Sequence, residues 1–247
     1  MHTEKSICAV VVTFNRKALL LNCLNALKAQ THPLSHIVVI DNASTDGTAD
    51  FLGEHGWTNN DAFTLITLPE NMGGAGGFHE GIKYAFEHGF DYIWLMDDDG
   101  VPANDCLARL FPFATENNYL GPLVLDIKQP NKFCFPMRLP STLKRLDTLA
   151  DLRALEIKEK IDGIVIPFNG ILLSSKVVEK VGFQINLAIS DGDNVSRNVS
   201  RYVASLSLNN RKCSKRASSL YMSFKTFGQV IHLFSNLLLV VYTCCTL

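Results

Sequence analysis

The sequence is short of net charge: 23 lysines and arginines stand against 24 aspartates and glutamates, leaving a formal net charge of -1 over 247 residues. That balance excludes a chain drawn as a whole toward nucleic acid, so any phosphate recognition must be local. A cysteine framework is missing too. The seven cysteines (Cys8, Cys23, Cys106, Cys134, Cys213, Cys244, Cys245) are odd in number and scattered, with no C-x-x-C pair, which points to a reducing compartment. The first five residues lack the basic-then-apolar order of a secretory signal, so residence on the cytoplasmic side is expected. None of the seven histidines falls in a zinc spacing, and His32 and His36, flanking Pro33, read as surface residues of a connector. No nucleophile elbow is present. Two phosphate-binding signatures are also absent: Gly74 and Gly76 keep a G-x-G spacing, but His79 stands where a dinucleotide fingerprint needs its third glycine, and the lysine and hydroxyl pair of a P-loop is lacking.

What the chain does have is room for a core and a repeating order of elements. With 47% hydrophobic and 19% charged residues, its length suits one large α/β domain, or one domain with a smaller appendage. Residues 7–13 form a continuous valine-rich run, the pattern of a strand covered on both faces. Leucines and alanines recur at helical spacing over 17–30, before Pro33. Strands are expected again at 37–40, 63–68 and 91–96, with helices from about 48 and over 78–88. Ser44 or Asp46 would cap the helix at 48. Such alternation predicts right-handed βαβ units and a mostly parallel sheet. Ligands of these sheets sit beyond the carboxyl ends of the strands, so 13–16, 41–46, 71–77 and 97–99 should converge on one crevice. A strand at 123–126, a helix or lid over 143–160, a strand at 164–168 and a short helix over 174–181 follow. After Phe183 serine, asparagine and basic residues take over, and 230–247 is apolar but short for a membrane span, leaving an interfacial helix, a poor transmembrane helix or a buried element open.

The chemistry concentrates at Asp97-Asp98-Asp99, which follows the apolar run Tyr92-Ile93-Trp94-Leu95-Met96. Three adjacent carboxylates disfavour their shared ionisation, and a hard divalent cation offsets that directly. In an extended segment Asp97 and Asp99 would share a side and a metal, with Asp98 facing elsewhere. A solvated acidic turn capping a helix is the competing reading. Asp41, at another strand end, can accept from a base or ribose, or close an Asx turn. Asn42, Ser44 and Asp46 fit ordinary turn and cap roles. The run Gly73-Gly74-Ala75-Gly76-Gly77 allows a ligand close to the backbone, ahead of a helix N-terminus that favours phosphate.

Taken in order, V-V-T-F-N-R at 11–16, I-D-N-A-S-T-D-G-T at 40–48, N-M-G-G-A-G-G at 71–77 and L-M-D-D-D-G at 95–100 resemble the family 2 glycosyltransferases of the GT-A fold, especially bacterial rhamnosyl- and galactofuranosyltransferases. The resemblance implies a GT-A, Rossmann-like α/β domain over 1–183, with a nucleotide-sugar half at 6–121 and an acceptor half at 122–183, followed by an atypical tail at 184–247. It also implies that Thr13, Asn15 and Arg16 line the nucleotide pocket with Asn42, Asp46 and Asp98 around it. Asp41 would hold the base or ribose, and Asn71 and Gly74 would border the sugar and diphosphate. Asp97 and Asp99 would bind Mn²⁺ or Mg²⁺ as the D-x-D element. The donor would be UDP- or dTDP-linked and the acceptor a glycan or lipid-linked sugar, with no nucleic acid involved and a peripheral membrane contact. Relatives carry a G-D-D-x-E-like motif with the catalytic base, where this chain reads Ser190-Asp191-Gly192-Asp193-Asn194-Val195, so Asp191 and Asp193 are the candidate bases. Truncation or a frame shift after Phe183 is the expectation that this departure raises. The alternatives are a nucleotide-sugar-binding module without its general base and, less well matched, a nucleotidyltransferase.

Overall fold

In a computed structural model of the chain, the structure describes residues 5–139, 144–155, 160–161, 169–181, 185–186, 205–206, 237–238 and 241–244. The first half alternates as its pattern predicts: β1 (Ile7–Thr13), α1 (Lys17–Lys28), β2 (His36–Asp41), α2 (Thr48–Glu54), β3 (Phe63–Thr67), α3 (Gly73–Glu87) and β4 (Tyr92–Asp97). Then come β5 (Gly100–Pro102), α4 (Cys106–Leu110), β6 (Tyr119–Leu120), β7 (Leu123–Asp126), β8 (Lys132–Arg138), β9 (Arg145–Thr148), α5 (Leu149–Arg153), β10 (Lys160–Ile161), β11 (Asn169–Ser174) and α6 (Ser175–Val181). The main sheet has the order β3-β2-β1-β4-β11-β6. Its first four strands are parallel, while β11 joins antiparallel to β4 and β6.

β1 is buried along its whole length because both faces are covered. Ile7, Ala9 and Val11 pack into a core with Leu20, Leu24 and Leu27 of α1, whereas Cys8, Val10 and Val12 pack with Phe78, Ile82 and Ala85 of α3. A strand's side chains alternate faces, so a continuous apolar run is what a central strand between two helical layers requires. α3 lies flush on this strand through its glycines. A Cβ on Gly77 would meet Val12 Cγ1 at 2.5 Å, and one on Gly81 would meet Val10 Cγ1 at 2.2 Å.

Several expectations need correction. α3 starts at Gly73 rather than 78, because the glycines serve as its sheet-facing stripe as well as its entry turn. Neither Ser44 nor Asp46 caps α2; Gly47 does, with φ of 79° and no side-chain bond. Where the span 143–160, expected as a helix or lid, is described, it opens with the edge strand β9, followed by the five-residue α5, which begins at a capping box between Thr148 and Asp151. His36 is no loose surface residue: it is partly buried, bonds Thr64 and stacks on Tyr84 and Phe90. His32 likewise packs on Phe111. The strand expected at 164–168 lies outside the described residues.

A second sheet of order β5-β15-β7-β8-β9 includes β15 (Val241–Cys244), parallel to β7 and antiparallel to β5. β12 (Ile185–Asn186) pairs with β13 (Ser205–Leu206), and β14 (Leu237–Leu238) with β10. Where the apolar end is described it is therefore strand. No helix among the described residues is long and apolar enough to cross a membrane.

Candidate functional site

The strand order reverses at β1, which has β2 on one side and β4 on the other. Loops leaving the carboxyl ends of two such strands part in opposite directions and open a crevice between them. Register places Thr13 beside Asp41 and Val12 beside Asp97, so the expected loops do come to one edge. A separate cleft of about 190 Å³, lined among others by Leu27, Trp57 and Ala62, lies at the opposite end of the sheet.

The strand ends at Asp97, and Asp98 and Asp99 form a turn. The extended alternation that would put Asp97 and Asp99 on one side therefore does not hold through the motif. Asp98 points inward instead: it is 2% exposed, its Oδ2 accepts from Thr13 Oγ1 at 2.7 Å, and its Oδ1 is 3.2 Å from Arg16 Nη1. The same guanidinium nitrogen is 3.3 Å from Asp99 Oδ2. Burial raises the carboxyl of Asp98, while Thr13 and Arg16 pull it back. Asp97 is pushed up to about 8, first by burial and then by the charges of Asp99 and Asp98, with Arg16 opposing. One arginine thus stands against three crowded carboxyls.

The loops after β1 and β2 are zipped together. Asn15, with φ of 54°, donates its backbone N–H to Ser44 Oγ at 2.8 Å, and its Oδ1 accepts from Thr45 N at 2.7 Å. Asp46 accepts from the backbone N–H of Lys17 at 3.2 Å and from Thr48 Oγ1 at 2.5 Å. Burial would raise its carboxyl, yet these bonds and the charge of Lys17 together hold it below the ordinary carboxylate value. Asp46 thus ties the first turn of α1, a use that sequence spacing within its own loop does not reveal. Asp41 is 2% exposed and its Oδ1 accepts from Ser44 N at 3.0 Å, the Asx turn foreseen as its local role. A carboxylate has lone pairs beyond that bond.

Asn42 is spent on the glycine-rich turn: its Nδ2 donates to Gly73 O at 2.9 Å and its Oδ1 accepts from Met72 N at 3.3 Å. This anchors the entry of α3 against the β2 end. Asn71 Oδ1 accepts from Gly73 N at 2.8 Å, and Gly74 faces open space, with no atom within 4 Å of a Cβ built on it. Two apolar residues that the motif reading passed over, Phe14 and Met72, are 41% and 48% exposed in loops at this same edge. The signal for them was a large apolar side chain set in a polar loop directly after a strand or before a helix. Asp191 and Asp193 lie outside the described residues.

Among the described residues no three His, Cys, Asp or Glu side chains form a ready-made metal cage. The aspartates still suit a hard cation, because Mg²⁺ and Mn²⁺ take all-oxygen ligands, commonly one or two carboxylates completed by water and phosphate. The acidic turn supplies carboxyl oxygens of this kind from Asp97, Asp98 and Asp99.

Comparison with known proteins agrees with this fold. The family model described as "Glycosyl transferase family 2" matches residues 8–172, which contain the whole crevice. A galactofuranosyltransferase, GlfT1, of Mycolicibacterium smegmatis is 33% identical over 185 residues, 73% of this chain and 60% of that protein. The dTDP-rhamnosyl transferase RfbF of Shigella flexneri is 27% identical over 182 residues, 72% of this chain and 57% of its own length. This chain therefore spans about 60% of the length of such relatives. Among solved structures, GalNAc-T7 with UDP, GalNAc and Mn²⁺ superposes with a TM-score of 0.57 at 14% identity, covering 74% of this chain and 37% of that one. Residues 1–349 of S. aureus TarS superpose with a TM-score of 0.50 at 15% identity, covering 74% and 52%. Both likenesses concern the fold, which is that of the GT-A glycosyltransferases. With its acidic turn at the switch point, its glycine-striped helix and a family match spanning both, the chain belongs to glycosyl transferase family 2.

Proposed function

We propose that this chain is the donor-binding part of an inverting, metal-dependent glycosyltransferase. It transfers a rhamnose- or galactofuranose-like sugar from a UDP- or dTDP-linked donor to a glycan or lipid-linked acceptor, on the cytoplasmic side with peripheral contact to the membrane. The observation that carries this reading is the Thr13–Asp98–Arg16–Asp99 network at the switch point of the sheet. The names of two relatives, a galactofuranosyl- and a rhamnosyltransferase, support the class of sugar.

In this reading Asp41 accepts from the base or ribose, and Thr13, Asn15 and Arg16 form the nucleotide side of the crevice. Asp46 holds that side in shape through its bond from Lys17 N, and Asn42 ties the glycine-rich turn to the end of β2. Asn71 and Gly74 border the sugar and diphosphate, where the open space at Gly74 admits a ligand. Asp97 and Asp99 would hold a divalent cation, which would supply Lewis acidity against the charge growing on the departing nucleoside diphosphate. As the acceptor hydroxyl attacks the anomeric carbon and the bond from sugar to phosphate breaks, a carboxylate takes the hydroxyl proton. Asp191 and Asp193 are the candidates for that carboxylate.

A thermal-shift screen tests this. UDP or dTDP should raise the unfolding midpoint only when Mn²⁺ or Mg²⁺ is present, since a ligand that binds the native state adds apparent stability. Asp99→Ala should abolish the shift. If no nucleoside diphosphate or nucleotide sugar moves the midpoint with either metal, the reading is wrong.

A further inference from the structure

Arg16 occupies an unusual place for a residue expected to meet nucleotide. One of its guanidinium nitrogens lies 3.2 Å from Asp98 Oδ1 and 3.3 Å from Asp99 Oδ2, between the carboxylates of two different residues. A divalent ion held by Asp97 and Asp99 would compete with this guanidinium for the Asp99 carboxylate. The side chain that fills the position is half-exposed, and its residue stands at the N-cap of α1 without making a side-chain cap bond. Its neighbours are fixed: Asn15 is bonded to Ser44 and Thr45, and Lys17 to Asp46. The backbone is therefore held while the arginine side chain is able to swing. The two carboxylates differ in the same sense. Asp98 is held by buried Thr13 as well as by Arg16, whereas the Asp99 side chain is 22% exposed.

We propose that Arg16 is a placeholder cation for the donor-free site. It pairs with Asp98 and Asp99 until a divalent ion at Asp97 and Asp99 takes over the Asp99 carboxylate, and the released guanidinium then pairs with the diphosphate that arrives with the ion. This proposal rests on the reading of the crevice as a site for a metal and a nucleoside diphosphate. Guanidinium suits both partners, because its planar fork matches carboxylate and phosphate oxygens alike. The consequence is thermodynamic coupling. Metal alone must break the arginine contacts without recompense, and diphosphate alone must draw Arg16 from two anions that nothing else neutralises. Together each favours the same arginine-out state, so each tightens the other by the same factor.

Calorimetric titration of the full chain with MnCl₂ alone, UDP alone, and MnCl₂ in saturating UDP tests this without any assay of turnover. In the unsubstituted protein, UDP should tighten Mn²⁺ binding. In Arg16→Gln, Mn²⁺ alone should bind about fivefold tighter, a modest factor because the contacts being lost are half-exposed, and the tightening by UDP should shrink. Arg16→Lys keeps a cation beside the carboxylates and should bind Mn²⁺ alone as the unsubstituted chain does, which separates competition by charge from any change in packing. Unfolding midpoints in EDTA report whether each variant is folded; Arg16→Gln should be the less stable without metal and gain more from Mn²⁺. The placeholder role is overturned if Arg16→Gln binds Mn²⁺ alone no tighter than the unsubstituted protein while UDP still binds with metal. Absence of Mn²⁺ binding in every variant, with and without UDP, would instead overturn the underlying reading of the site.

Discussion

Thr13 and Asp98 are joined by a 2.7 Å hydrogen bond between the ends of neighbouring parallel strands, and both are almost completely buried. The bond fixes the acidic turn to the point where the strand order reverses. Thr13→Val keeps the shape of the side chain but removes the donor, leaving Asp98 to Arg16 and the backbone N–H of Phe14. A hydrogen bond to a charged group contributes about 1.5 kcal/mol or more, so metal-dependent UDP affinity should fall by roughly tenfold. Thr13→Ser should restore most of it. Unchanged affinity in Thr13→Val would show that the turn is held by other contacts.

The carboxyl of Asp97 gives the metal-free protein a pH dependence of definite sign. Its pKa is raised from 3.8 to about 8 in the fold, so between those values the folded chain keeps a proton that the unfolded chain has released. The stability of the metal-free protein should therefore drop as pH rises through this window. Asp97→Asn removes the titrating group; its unfolding midpoint in EDTA at pH 8 should exceed that of the unsubstituted chain, with little difference near pH 4. A variant destabilised at pH 8 would contradict the assignment.

Gly81 and Gly74 on the same helix should answer oppositely to alanine. At Gly81 a Cβ would stand 2.2 Å from Val10 Cγ1 on a central strand, so overpacking should outweigh the better helix propensity and cost about 1–3 kcal/mol. At Gly74 there is open space, so the same change should raise stability by up to about 1 kcal/mol. If Gly74 borders the diphosphate, that more stable variant should bind UDP with metal more weakly. Denaturant melts and calorimetry on both variants check the pair.

Asn42 links the end of β2 to the entry of α3 through two bonds to backbone. Asn42→Ala leaves Gly73 O and Met72 N without this partner and should lower stability by about 1–3 kcal/mol in urea denaturation. Asn42→Asp keeps the acceptor for Met72 N and loses the donor to Gly73 O, so it should fall between. Loss of nucleotide binding without loss of stability would instead mark Asn42 as a ligand contact.

How much of this was legible in the chain depends on the range of the interaction involved. The span of β1, 7–13, was read correctly to the residue because an unbroken valine-rich run has few other uses than a strand covered twice. The convergence of the four loops followed from the alternation of strand and helix, since a parallel sheet puts every strand's carboxyl end at one edge. The placement of Asp46 was not legible. It bonds Thr48 at the start of α2, its nearest helix in sequence, but it also serves the start of α1 some thirty residues away, and only the register of β1 beside β2 brings those together. The strand β9 was missed because the leucines and charges from 143 to 160, read together, also satisfy a helical spacing.

The sequence by itself determined the class of fold, the order of its elements and the types of residue at the crevice, because these depend on local periodicity and on strand ends that carry acids and glycines. Tertiary structure alone decided which partner each of those residues takes. Arg16 meets Asp98 and Asp99 across more than eighty positions of chain, and Asn42 closes on Gly73 across thirty-one. Distances of that kind arise from packing two layers of helix onto one sheet, where strand order and register set which atoms come within reach.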